Sequence, residues 1–170
     1  MNQKSIIGID PGLATTGFGI IRPGDRPRSF KLVDSGAIRT ESNQELSSRL
    51  EIIYEKVKEL VDQYEPNTVA VEKVFYSKNK KTAGLVAQAR GVIVLASSSA
   101  EIAGYSPLEV KKTITGYGRA NKNQIKMMIK KLLNLQDIPQ PADAADALGI
   151  ALCGGLDRGS ALKKRLSEDR

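Results

Sequence analysis

Thr68-Val69-Ala70-Val71-Glu72 carries almost no polarity until its closing acid. A strand with one wet face alternates apolar and polar side chains; a run without alternation is covered on both faces, as in the middle of a parallel sheet. The run follows a helical stripe, Leu46, Leu50, Ile53, Val57, Leu60, Val61 and Tyr64, at steps of three and four, and Pro66-Asn67 separates the two. Ser5-Ile6-Ile7-Gly8-Ile9-Asp10 has the same character and the same acidic ending, so it is the natural parallel neighbour.

The rest of the chain arranges itself around these two strands. Thr16–Arg22 and Phe30–Ile38 read as strands, joined by the turn Pro23-Gly24-Asp25-Arg26-Pro27, and complete an antiparallel meander with the first strand. Ser42-Asn43-Gln44-Glu45 has capping-box spacing and opens the first helix. Lys73–Thr82 reads as a basic loop with two aromatics, Ala83–Ser99 as a helix rich in Ala and Gly, and Glu101–Tyr105 as a fifth strand. Ser106-Pro107-Leu108-Glu109 combines an N-cap, Pro at the first helical position and Glu at the third. That helix stops at Thr115-Gly116-Tyr117-Gly118; another runs from Asn121 or Lys122 through Leu133. Ile138–Pro141 is a rigid connector, and the last helix spans Ala142 to about Ser160. The order βββ-α-β-α-β-α-α-α implies an α/β fold, a mixed five-stranded sheet flanked by helices on both faces. We expect one domain over residues 1–160 and a charged, frayed tail over residues 161–170.

Composition removes several chemistries. The 170 residues contain no histidine, which excludes histidine bases, histidine metal ligands and Ser-His-Asp catalysis. The one cysteine, Cys153, forms no disulfide within the chain, which points to a reducing cytoplasm. Ile6–Ile9 is the only apolar run near the start, too short for a signal peptide or a membrane span. The net charge is +7, unevenly spread: residues 73–136 hold twelve Lys or Arg against Glu101 and Glu109 alone. A basic stretch of this size is a footprint for a phosphate backbone.

Against that positive background stand four acids: Asp10, Glu72, Asp143 and Asp146. Asp10 and Glu72 end apolar strands that, as parallel neighbours, place them about 5 Å apart. Asp143 and Asp146 share one face of a helix whose neighbours Ala142, Ala144, Ala145, Ala147 and Gly149 are small enough for close approach to a sheet. Taken singly, each acid has a plain alternative. Asp10 can shape a turn, Glu72 can open a loop, Asp143 can be a helix-start charge and Asp146 can pair with a lysine. Together they form an oxygen-only donor set suited to Mg²⁺ or Mn²⁺ rather than Zn²⁺. Four such acids can hold two metals for phosphodiester cleavage, one activating water and one stabilising the leaving 3′ oxygen. The combination of basic surface and acidic hole reads as a metal-dependent nuclease.

Ile7-Gly8-Ile9-Asp10-Pro11-Gly12, Val71-Glu72-Lys73-Val74-Phe75 and Ala142-Asp143-Ala144-Ala145-Asp146-Ala147-Leu148 resemble, in this order, motifs of the RuvC Holliday junction resolvases. Val110-Lys111-Lys112-Thr113, Thr115-Gly116-Tyr117-Gly118 and Ala120-Asn121-Lys122 resemble the family's basic segment, and the likeness runs over roughly residues 5–155. Some members carry histidine in the last motif, where this chain keeps aspartate. The resemblance implies a ribonuclease-H-like fold, a homodimer and paired symmetric nicks in a four-way DNA junction during recombination and repair, with Mg²⁺ or Mn²⁺. It implies metal binding by Asp10, Glu72, Asp143 and Asp146, junction stacking by Phe75, and important lysines at Lys111 and Lys122. It also implies work beside the RuvA and RuvB branch-migration proteins. Lys78, Lys80, Lys81 and Arg119 are further expected DNA contacts by charge and position. Three other readings share some of these features. An actin-like ATPase or sugar kinase begins with a similar strand, acid and Gly turn, but needs two such subdomains. An architectural junction binder uses the basic segment but gains nothing from four acids. A ribonuclease-H-like enzyme acting on RNA shares the whole motif set.

Overall fold

A computed structural model describes residues 5–74 and 80–157, with Lys80 and Lys81 described in their backbone only. The described elements follow the expected order: β1 (Ile6–Asp10), β2 (Thr15–Pro23), β3 (Phe30–Arg39), α1 (Leu46–Tyr64), β4 (Thr68–Glu72), α2 (Lys80–Ala96), β5 (Glu101–Tyr105), α3 (Pro107–Thr115), α4 (Lys122–Leu132) and α5 (Ala142–Asp157). The sheet runs β3-β2-β1-β4-β5. β2 runs antiparallel to both of its neighbours, β1 and β3, while β1, β4 and β5 run parallel. β1 and β4 therefore lie at the centre, as their lack of alternation implies.

The two central strands feed two cores. Ile7, Ile9, Val69 and Val71 point toward α1 and α2, where they meet Ile53, Val57 and Ile93. Ile6 and Ala70 point to the other face, among Leu148, Ala151 and Leu152 of α5 and Ile129 of α4. This is the two-residue alternation of a strand, apolar on both sides because both sides are covered.

α5 lies unusually close to the sheet, and glycine makes this possible. A side chain on Gly8 would overlap the Ala147 carbonyl and the backbone of Ala151; one on Gly17 would overlap the Asp143 carbonyl. The facing residues Ala144, Ala147 and Ala151 are fully buried. Gly8→Val forces helix and sheet apart, and overpacking against rigid backbone costs about 1–3 kcal/mol. At about 2–4 °C per kcal/mol for a domain of this size, we expect a thermal midpoint lowered by about 2–12 °C, read by circular dichroism.

Three local expectations shift. The capping box at 42–45 does not form: α1 begins at Leu46, Glu45 occupies its N-cap without a side-chain bond, and the Gln44 side chain accepts from Glu41 N–H at 3.0 Å. Gln44 closes a turn of its own, Glu41–Gln44, and the helix starts after it. The expected loop over residues 73–82 ends sooner, since α2 begins at Lys80: Lys80-Lys81-Thr82 contains no helix breaker ahead of Ala83. α2 stops at Ala96 rather than Ser99, where Ser97 and Ser98 turn back onto Ile93, Val94 and Leu95. The box at Ser106 forms as read, with Glu109 N–H on Ser106 Oγ at 3.1 Å and Ser106 N–H on Glu109 Oε2 at 2.8 Å. The expected tail, residues 161–170, lies outside the described residues.

Candidate active site

Ile9 pairs with Val71 in the parallel register, so Asp10 and Glu72 end adjacent strands at the same edge of the sheet. The turn leaving Asp10 is held by the buried Thr16, whose hydroxyl donates to the Gly12 carbonyl at 2.6 Å. Behind Glu72, Arg90 of α2 donates from Nε to the Glu72 carbonyl at 3.3 Å. α5 starts over Gly17, the residue paired with Asp10 across β1 and β2, and this brings Asp143 and Asp146 over the strand ends. Lys122, the first residue of α4, completes the group: its Nζ lies 3.2 Å from Asp146 Oδ2. α4 is aimed there by a second capping box, with Gln124 N–H on Asn121 Oδ1 and Asn121 N–H on Gln124 Oε1, both at 2.9 Å.

The charges act on one another. Burial, with Glu72, Asp146 and Asp143 nearby, pushes the Asp10 carboxyl up to about 7, and Lys122 opposes the shift. Glu72 is raised by burial and by Asp146, again against Lys122. Lys122 is raised in turn by its bond to Asp146 and by the charges of Asp146, Asp10 and Asp143. All four predicted acids thus belong to one electrostatic unit, with Lys122 as its counter-charge. Among the described residues no three acidic side chains already form a metal cage. The plain alternative for Asp146, pairing with a lysine, is met by Lys122. The donor set nevertheless suits a hard dication: mutually repelling carboxylate oxygens at a sheet edge, one of which keeps its proton far above the usual range.

The other predicted residues lie around this unit. Lys111 is half-buried on α3 and is not among the charges acting on Asp10 or Glu72. Arg119 is exposed on the turn between α3 and α4. Lys80 and Lys81 fall in the first turn of α2; Phe75 and Lys78 lie outside the described residues. Beside Glu72 opens a cavity of about 310 Å³ lined by Pro11, Val74, Thr82, Val86 and Pro107 among others. Sequence reasoning passed over Gly8, Gly17, Thr16 and Arg90 as parts of the site. Glycine inside an apolar strand is a signal of close backbone approach, and it was available at Gly8 and Gly17.

Comparison with known proteins agrees with this geometry. The family model for crossover junction endodeoxyribonuclease RuvC matches residues 6–154. A protein of that name from Caldicellulosiruptor saccharolyticus is 46% identical over 92% of this chain and 95% of its own. One from Alkaliphilus oremlandii is 50% identical over 87% of this chain and 90% of its own. The solved structure of Thermus thermophilus RuvC in complex with Holliday junction substrate superposes with a TM-score of 0.90 at 28% identity, covering 96% of this chain and 99% of that one. The yeast mitochondrial Holliday junction resolvase Ydc2 shares the fold, with a TM-score of 0.67 at 10% identity over 92% of this chain and 81% of that one. With a family match that spans both strand-end acids and the two aspartates of α5, the chain belongs to the RuvC family of crossover junction endodeoxyribonucleases.

Proposed function

We propose that the protein resolves four-way DNA junctions by paired symmetric nicks, acting as a homodimer with two divalent cations per subunit, Mg²⁺ or in its place Mn²⁺. The observation that carries this reading is the gathering of four carboxylates at the edge of a basic protein's sheet, where burial first, and then the charges of Glu72, Asp146 and Asp143, push the Asp10 carboxyl up to about 7. Asp10, Glu72, Asp143 and Asp146 would hold the cations, which when bound lower the pKa of water and stabilise the leaving oxygen. Lys122, at the rim of the unit, offers its ammonium to the phosphate being cut. Lys111, Arg119, Lys78, Lys80 and Lys81 neutralise flanking phosphates. Phe75, three residues beyond Glu72, stacks on a base unpaired at the junction centre, a contact of about 1–3 kcal/mol. The work belongs to recombination and repair in the cytoplasm, beside the RuvA and RuvB branch-migration proteins; among the described residues no helix is long and apolar enough to cross a membrane.

The cation reading makes a pH-dependent prediction. In the cation-free protein, folded Asp10 titrates near 7 and the unfolded residue near 3.8. Between those values the native state binds more protons, so stability falls as pH rises through this window. A dication bound to the carboxylates displaces that proton and removes the penalty. We expect Mg²⁺ to raise the thermal midpoint by less than about 1 °C near pH 5 and by several degrees near pH 8, measured against EDTA. An equal gain at both ends would contradict cation binding at Asp10.

Paired nicks need two sites related by a two-fold axis, which a symmetric dimer supplies. The outward face of α2 suits that contact. Gly84, Ala87 and Gly91 are exposed on it, a side chain at Gly84 or Gly91 would meet nothing within 4 Å, and Leu95 is 62% exposed. Gly91→Glu places a charge there and should yield monomers in light scattering and lose the coordinated second nick. Unchanged mass and activity would move the dimer contact elsewhere.

A further inference from the structure

Tyr117 stands out on the basic side of the molecule. It is 56% exposed, and Leu108 nearby is 52% exposed. A side chain on Gly118 would run into Leu108 and Lys112, so those residues pack around the turn that carries Tyr117. That turn is firmly built. Gly116 takes the left-handed conformation with φ 74°. The Thr115 hydroxyl accepts Tyr117 N–H at 3.1 Å and lies 2.9 Å from the Tyr117 carbonyl, which also accepts Ala120 N–H at 3.2 Å. Five residues further on, Lys122 reaches Asp146. An exposed aromatic on a turn this constrained loses little conformational freedom on binding a partner.

Charge identifies the partner. Lys111, Lys112, Arg119, Lys122, Lys126, Lys130 and Lys131 populate α3, α4 and their connection, against the single acid Glu109, whose carboxylate accepts from Ser106 N–H. An occupant of this surface is polyanionic, yet the exposed ring and its aliphatic neighbour ask for a flat apolar face. A nucleobase joined to a phosphate backbone has both. Bases inside a continuous duplex have their faces covered by stacking, so the accessible base is an unpaired one. We propose that Tyr117 is a nucleobase-stacking platform, on which a base unpaired beside the scissile strand lies while the surrounding lysines hold its flanking phosphates. This rests on the junction-resolving reading above and adds to it a second aromatic contact, carried by the α3–α4 turn rather than by the segment after β4.

The test uses full-length protein in an Asp10→Asn background, so that binding is read without cleavage. Four-way junctions carry 2-aminopurine at positions next to the exchange point. We expect Tyr117→Ala to weaken junction binding about ten-fold, the scale of one lost stacked base, and to abolish the quenching of one 2-aminopurine position. Tyr117→Phe should keep both, since the ring face supplies the contact. The slope of affinity against salt should stay as in the parent, because no phosphate contact is removed. Binding by Tyr117→Ala within about two-fold of the parent would overturn the proposal and leave the Leu108–Tyr117 patch to a protein partner. So would equal losses for Phe and Ala, which would mean a hydroxyl-to-phosphate bond. If the parent itself fails to bind junctions, it is the junction-resolving reading that fails.

Discussion

Asp10→Asn should lower junction cleavage by about a thousand-fold or more while leaving junction affinity within about two-fold. The two halves of this expectation come from different parts of the structure. In the proposed reading, cleavage depends on a carboxylate at the end of β1, beside Glu72 and close to Asp143 and Asp146, whose charges act on it. Asparagine keeps the shape and removes the charge, so cation affinity and the ordering of the other three carboxylates both suffer. In the same reading, binding rests on the basic residues of α2, α3, α4 and their connections, which this substitution does not touch, and a lost negative charge does not weaken attraction for phosphate. Relief of repulsion also stabilises the cation-free variant above neutral pH, where the parent must ionise Asp10 against its neighbours. Single-turnover cleavage, anisotropy binding and thermal melts on the same preparation check all three. A variant that cuts within ten-fold of the parent removes Asp10 from the metal site.

Lys122→Met is the second large effect, about a hundred-fold in cleavage with little change in stability. The Lys122–Asp146 pair is 69% and 30% exposed on its two sides, and a pair in that setting is worth roughly 0–1 kcal/mol to the fold. Its value lies in the charge it places over the acids: Lys122 opposes the upward shifts of both Asp10 and Glu72. Without it the unit is more negative, and a phosphate entering it meets more repulsion and one fewer donor. Lys122→Arg keeps the charge with a different fork, so its rate should fall between those of the parent and Lys122→Met. A cleavage rate unchanged in Lys122→Met, with melting also unchanged, would make the lysine a surface ion pair and nothing more.

Much of this was legible in the chain because its two most buried strands announce themselves. Thr68–Glu72 and Ile6–Asp10 lack alternation, and each ends in an acid just where burial ends, so strand ends and site came from the same letters. Asp143 and Asp146 were legible from spacing and from the alanines around them. The contact of Lys122 with Asp146 was harder, since it joins the early turns of two separate helices, at residues 122 and 146, and leaves no local pattern. Arg90 and Thr16 bind backbone carbonyls, Glu72 and Gly12, and such bonds carry no side-chain signature. The false capping box at Ser42 shows the converse. The motif spacing was present, but Gln44 found a nearer donor in Glu41. Helix starts are decided by which of several local bonds wins, and a sequence offers all of them.

The most direct measurement is incubation of the purified protein with a labelled mobile four-way junction and a matched linear duplex, with and without Mg²⁺ or Mn²⁺. We expect symmetric nicks in two opposed strands of the junction, dependent on the cation, and an intact duplex. Cutting of the junction in EDTA, or equal cutting of junction and duplex, would contradict a cation-dependent, junction-specific site built on Asp10, Glu72, Asp143 and Asp146.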